Sequence, residues 1–127
     1  MKTKEIGDYG ERLAIGYLRR RFYRILERNY SSKHGEIDII AKKKKRIVFI
    51  EVKTRRDCPE SIKRYGRAAA AVNYEKRQHI RYAVKDYLRR NNTSLSPRID
   101  IIEVYFSPDN IRKHRIVHIE NAFGEKG

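Results

Sequence analysis

The sequence predicts a single α/β domain in which helices flank one central sheet, with elements in the order α, β-hairpin, α, β, β. Three observations predict it. Ile37 to Ala41, Ile47 to Val52, Ile99 to Phe106 and Ile116 to Ile119 are compact β-branched or aromatic runs of strand length. Two longer stretches, one near the N-terminus and one after Asn73, carry apolar residues at helical spacing instead. No repeat, linker or break in composition divides the 127 residues, so one core spanning residues 1–127 is expected.

Each element has its own signal. From Thr3 to Phe22, the positions Ile6, Gly10, Leu13, Ala14, Tyr17 and Leu18 follow the helical period and define a first helix. Arg24 to Tyr30, with Ile25 and Leu26, reads as a short edge strand. Glu36 to Ala41 and Ile47 to Thr54 are strands joined into a hairpin by a lysine-rich turn from Lys42 to Arg46. Arg55 to Val72 has no sustained period, and Pro59, Gly66 and the alanines Ala68 to Ala71 predict a loop with a short helix. Asn73 is placed to cap a second long helix whose buried face is Ile80, Ala83, Val84, Tyr87 and Leu88, and Asn91-Asn92 should end it. Pro97 precedes a strand from Arg98 to Phe106, Ser107 to Asn110 is a turn, and Arg115 to Ile119 is the last strand.

The charge points to a polyanionic partner. Lys and Arg number 31 against 16 Asp and Glu, a net charge of +15, and each phosphate contact made by such residues releases condensed counterions. The basic residues cluster at Arg19-Arg20-Arg21, Lys42 to Arg46, Arg55-Arg56, Lys63-Arg64 with Arg67, Lys76-Arg77 with Arg81, Arg89-Arg90 and Arg112 to Arg115. Nucleic acid is the expected partner. No stretch approaches the roughly 20 apolar residues of a membrane span, and the first residues lack a signal peptide's apolar region, so a cytoplasmic protein with no membrane partner is expected. The lone Cys58 has no internal disulfide partner, and four dispersed histidines give no zinc spacing.

The chemistry concentrates in Gly35-Glu36-Ile37-Asp38-Ile39-Ile40 and, after the turn, Phe49-Ile50-Glu51-Val52-Lys53. Side chains alternate along a strand, so Glu36 and Asp38 share one face, as do Glu51 and Lys53. With Lys42 opposite Ile47, the same register sets Asp38 opposite Glu51 and Glu36 opposite Lys53; a slip of one residue would separate them. Opposed carboxylates repel unless a cation compensates them. Oxygen ligands with retained waters suit Mg²⁺ or Mn²⁺, which together with a lysine would serve phosphodiester hydrolysis.

Asp38, twelve intervening residues and then Glu51-x-Lys53 resembles the PD-(D/E)xK nuclease signature, with Ile37 in the place of its proline. Gly10-Glu11-Arg12-Leu13-Ala14, Leu26-Glu27-Arg28-Asn29-Tyr30, Gly35-Glu36-Ile37-Asp38, Phe49 to Arg55, Pro97-Arg98-Ile99-Asp100 and His118 to Phe123 resemble, in this order, the YraN-type endonuclease family, itself similar to archaeal Holliday-junction resolvases. The resemblance implies a restriction-endonuclease-like mixed sheet, Mg²⁺ or Mn²⁺ as cofactor, branched or structured DNA as substrate, and a homodimer. It makes Asp38 and Glu51 metal ligands and Lys53 the catalytic lysine. It also brings Glu11 from the first helix to the metal, with Glu36 as an additional or outer ligand. Arg55 and Arg56, directly after the Lys53 strand, are candidate phosphate clamps, and Lys76 sits where it could reach phosphates beside the site. Asp100, between Ile99 and Ile101, reads as structural and paired with a nearby arginine. His34, His79, His114 and His118 receive no role. Tyr65 and Tyr74 read as core or cap residues rather than base-stacking ones.

Overall fold

The computed structural model describes residues 3–56, 73–107, 109–110 and 112–124. The apolar runs form one five-stranded sheet whose strands lie side by side in chain order: β1 (Arg24–Ser31), β2 (Glu36–Lys43), β3 (Arg46–Arg56), β4 (Ser96–Phe106) and β5 (His114–Phe123). β3 and β4 run parallel and the other neighbours antiparallel. Parallel neighbours need a crossover, and the chain between these two carries helix α2 (Tyr74–Arg90). Helix α1 (Thr3–Arg20) precedes the sheet. The α/β class and the element order expected from the sequence are those observed. No helix among the described residues is long and apolar enough to cross a membrane.

The two helices cover opposite faces. Ala14, Ile15 and Leu18 of α1 pack with Ile39, Ala41, Val48, Ile50, Ile102 and Val104, while Ile80, Ala83, Val84 and Tyr87 of α2 pack with Ile40, Ile47, Phe49, Ile99 and Ile101. Ile47 to Ile50 are therefore all buried, which is why β3 reads as a continuous apolar run rather than an alternating one.

Several element ends differ from the sequence expectation. α1 stops at Arg20 instead of Phe22, because the Tyr23 N–H reaches back to the Leu18 carbonyl and the Phe22 N–H to that of Arg19, a closing pattern that throws Phe22 to φ 68°. The hairpin turn is only Lys44-Lys45, since Lys42 and Lys43 still pair with Ile47 and Arg46. Arg55 and Arg56 belong to β3, held by pairing with Tyr105 and Phe106, rather than to a loop. Pro97 lies within the start of β4, where its missing N–H is tolerated. β5 runs on to Phe123 past a bulge opposite Asp100. The rest of the expected loop, with Cys58, Lys63, Arg64, Tyr65 and Arg67, lies outside the described residues.

Two glycines set the spacing of the layers. A Cβ on Gly10 would stand 2.7 Å from Thr54 Cγ2, so this residue lets α1 approach β3 beside Glu11. A Cβ on Gly35 would stand 2.0 Å from the backbone oxygen of His79, so the β1–β2 loop rests directly on α2. Backbone cannot move aside cheaply. Gly35→Ala is therefore expected to cost about 1–3 kcal/mol, seen as a lower urea midpoint at unchanged slope.

Candidate active site

The expected hairpin register holds, with Ile39 opposite Ile50 and Lys42 opposite Ile47, but the pairing ends at Ile39. Beyond it the Val52 N–H, which a continued ladder would have directed to the β2 backbone, donates to Asp38 Oδ2 at 2.8 Å. The alternation of β2 breaks at the same residue. Ile37 packs on the α2 side and Ile39 on the α1 side, although strict period-two geometry would place both on one face. Asp38 thus acts as a side-chain substitute for a backbone acceptor, at the point where β2 parts from β3.

Glu51 lies on the face of β3 that carries Phe49, beyond the part α2 covers. It is only 6% exposed, with Lys53 Nζ at 3.6 Å and Lys76 Nζ at 3.7 Å from its Oε1. Lys76 is delivered by the first turn of α2, which Asn73 caps by accepting the Lys76 N–H at 2.8 Å. Glu51 is midway along the 11-residue β3, opposite Ile101 midway along β4, and Lys53 follows two residues on, where β2 no longer pairs with β3.

Electrostatics mark these side chains out. Burial first, and then the negative charge of Asp38, push Glu51 up to about 7, against the opposing pull of Lys76 and Lys53. Asp38 is also raised, chiefly by burial, with Glu36 adding to the effect while the Val52 N–H, Lys76 and Lys53 oppose it. Glu11 is raised by burial and then by Asp38, with Arg28 opposing. Its Oε1 is buried without a hydrogen-bond partner, and its side chain borders a cavity of about 440 Å³ lined by Asp8, Arg12, Arg28 and Asn29.

The structure therefore brings Asp38, Glu51, Lys53 and Lys76 together and sets Glu11 within the field of Asp38. Glu36 is exposed and pairs with Ser31 of β1, rather than standing opposite Lys53 in the β2–β3 ladder. Among the described residues, no three His, Cys, Asp or Glu side chains are gathered to hold a metal ion. The donor chemistry still suits one, since hard carboxylate oxygens, one of them unpartnered, are what Mg²⁺ and Mn²⁺ prefer. Arg56 is exposed at the end of β3, whereas the Arg55 Nε lies 3.3 Å from buried Glu103 Oε2, which also accepts the Tyr105 hydroxyl at 2.9 Å.

Sequence reasoning found only the Asp100–arginine pair of a second buried network. Asp100, 0% exposed, accepts from Arg98 Nε at 2.9 Å and Nη2 at 2.8 Å and from the Asn121 N–H at 2.9 Å, and lies 2.7 Å from His118 Nε2. Tyr23 and Tyr17 complete it through Arg98 and His118. The arginine partner expected for Asp100 is Arg98; His118, given no role by spacing, is its other main contact. Tyr74 is 69% exposed and belongs to no core.

A mixed α/β sheet with paired carboxylates and two lysines where β2 parts from β3 defines the class of domain. The model of the family described as "Uncharacterised protein family UPF0102" matches residues 10–104. A UPF0102 protein of Caldanaerobacter subterraneus subsp. tengcongensis is 41% identical over 124 residues, covering 97% of this chain and 98% of that protein. One from Clostridioides difficile is 42% identical, covering 97% and 100%, and one from Alkaliphilus oremlandii 44% identical, covering 95% and 99%. The chain belongs to the UPF0102 family, the YraN type that its motifs resemble.

Proposed function

We propose that this protein is a metal-dependent endonuclease that hydrolyses phosphodiester bonds in DNA, with branched or otherwise structured DNA as substrate, Mg²⁺ or Mn²⁺ as cofactor and the cytoplasm as its place of work. The observation that carries the reading is the burial of Glu51 against Asp38, with burial and the Asp38 charge pushing it up to about 7. A fold gains nothing from keeping two such carboxylates together unless a ligand uses them. The net charge of +15 supports a phosphate-rich substrate, and the resemblance to PD-(D/E)xK nucleases supports the reaction.

In this reading Asp38 and Glu51 hold the ion, the unpartnered Glu11 oxygen is the third donor from α1, and Glu36 acts from outside. Such an ion, when bound, polarises a phosphoryl oxygen and lowers the pKa of a bound water. Lys53, beside Glu51, stabilises the charge that gathers on the phosphate, and Lys76 adds a second ammonium on the same side. Arg56 contacts the backbone of the DNA, with Arg55 fixed behind it by Glu103. Two symmetric cuts need two sites, so a homodimer is part of the proposal.

One observation favours a second reading, a nucleic-acid-binding module with a nuclease fold and no turnover. Lys53 and Lys76 already accompany Glu51, and the carboxylates of the described residues are not gathered into a three-ligand set. Calorimetry with Mn²⁺ separates the two. The nuclease reading expects saturable uptake by the wild type, lost in an Asp38→Asn, Glu51→Gln double variant; no uptake by the wild type would favour the binding module.

A further inference from the structure

The geometry points to a second nucleic-acid contact, in which Phe22 stacks on an unpaired base at the basic end of the sheet opposite the carboxylates. Phe22 is 88% exposed and has φ 68°, an outlier for a bulky side chain. It occupies the position after α1 that glycine usually fills, because the two backbone bonds to Leu18 and Arg19 demand a left-handed residue there. A phenylalanine at that position keeps the backbone strain of its Cβ, and its exposed ring gains no burial in return. Strain that packing does not repay is found where a residue serves a ligand.

Its surroundings favour one ligand. Exposed Arg19, Arg20, Arg21 and Arg24 flank it in the chain, and the pairing of Arg24 with Lys42 brings the lysine hairpin alongside. Lys43 Nζ lies 4.8 Å from the ring of Tyr23, the next residue. Basic residues near a helix C-terminus complement its dipole, which accounts for some of the arginines. It does not account for an exposed aromatic ring among them. Phosphate-binding cations around a free ring are the arrangement that holds single-stranded nucleic acid, the cations following the backbone while the ring stacks on a base. This end lies about 17 Å from Glu51, the length of the five residues of β3 from Arg46.

The inference rests on the proposed function only in taking nucleic acid as the ligand, and the carboxylates have no part in it. It is tested by fluorescence anisotropy of the full chain in EDTA, with an oligothymidylate, a blunt duplex, and heparin as a polyanion without bases. Phe22→Gly, which suits the left-handed position and should melt no lower than wild type, is expected to weaken oligothymidylate binding about fivefold or more, the loss of one stacked base. Binding to duplex and heparin should change less than about twofold, and Phe22→Tyr should bind like wild type. Equal affinity of Phe22→Gly and wild type for the oligothymidylate, or a parallel loss on all three ligands, would overturn the stacking role alone. If wild type binds neither DNA, the proposed function fails with it.

Discussion

Glu51→Gln is expected to abolish metal-dependent DNA cleavage, by about 10³-fold, while making the metal-free protein more stable above neutral pH. The two effects share one cause. Glu51 is held at about 7 in the folded protein against 4.5 for an ordinary glutamate, so between those values the folded state keeps a proton that the unfolded state has released. The contribution is full below about pH 4.5 and is lost as pH rises through 7, on the order of 3 kcal/mol by pH 8. Glutamine is neutral throughout and avoids that loss. Lys53 and Lys76 keep 28% and 38% exposure, so solvent compensates them when their partner is neutral. Urea titrations in EDTA at pH 5 and pH 8 should show the variant ahead of wild type at pH 8 and the gap closing at pH 5. Added Mn²⁺ should stabilise wild type and not the variant. A variant no more stable than wild type at pH 8 would mean that burial and the Asp38 charge do not disfavour the ionised Glu51.

Asp100→Asn should be the most destabilising of the conservative changes, at about 3–5 kcal/mol. Asp100 has no exposure and anchors Arg98, His118 and the Asn121 N–H at once. The last contact supplies an acceptor where the β4–β5 ladder is interrupted by its bulge. Burial alone would raise its pKa, yet the hydrogen bonds from His118, Arg98 and Asn121 hold it below the usual value. The sign is opposite to that of Glu51: this stability is present above the ordinary carboxylate pKa and is lost as pH falls through the lowered one. A urea midpoint within about 1 kcal/mol of wild type would show that the network is not what the geometry makes it.

How much was legible in the sequence followed from which interactions are local. The strands were legible because β-branched runs bounded by turns report burial directly, and the hairpin register because a short lysine turn fixes which residues oppose. The end of α1 was not. Phenylalanine carries no signal for a left-handed position, and the backbone bonds to Leu18 and Arg19 decided it. The departure of β2 from β3 was hidden because a side chain, Asp38, takes the place of a backbone acceptor. Arg55 stood out for its closeness to Lys53 in sequence, but its partner Glu103 comes from β4. His118 had no ligand spacing because its contact with Asp100 is made across strands, its pairing with Ile102 setting it diagonally beside Asp100 on the same face. Lys76 was legible as a basic residue near the site, and only the start of α2 beside β3 revealed that it faces Glu51.

The most direct measurement is the cutting of end-labelled junction, flap and duplex DNA by the purified wild-type protein in Mg²⁺ or Mn²⁺, beside Asp38→Ala and Glu51→Ala. Cleavage by wild type should favour the branched substrates, stop in EDTA and be lost in both variants. No cleavage of any substrate with either metal, or cleavage that persists in both variants, would contradict it.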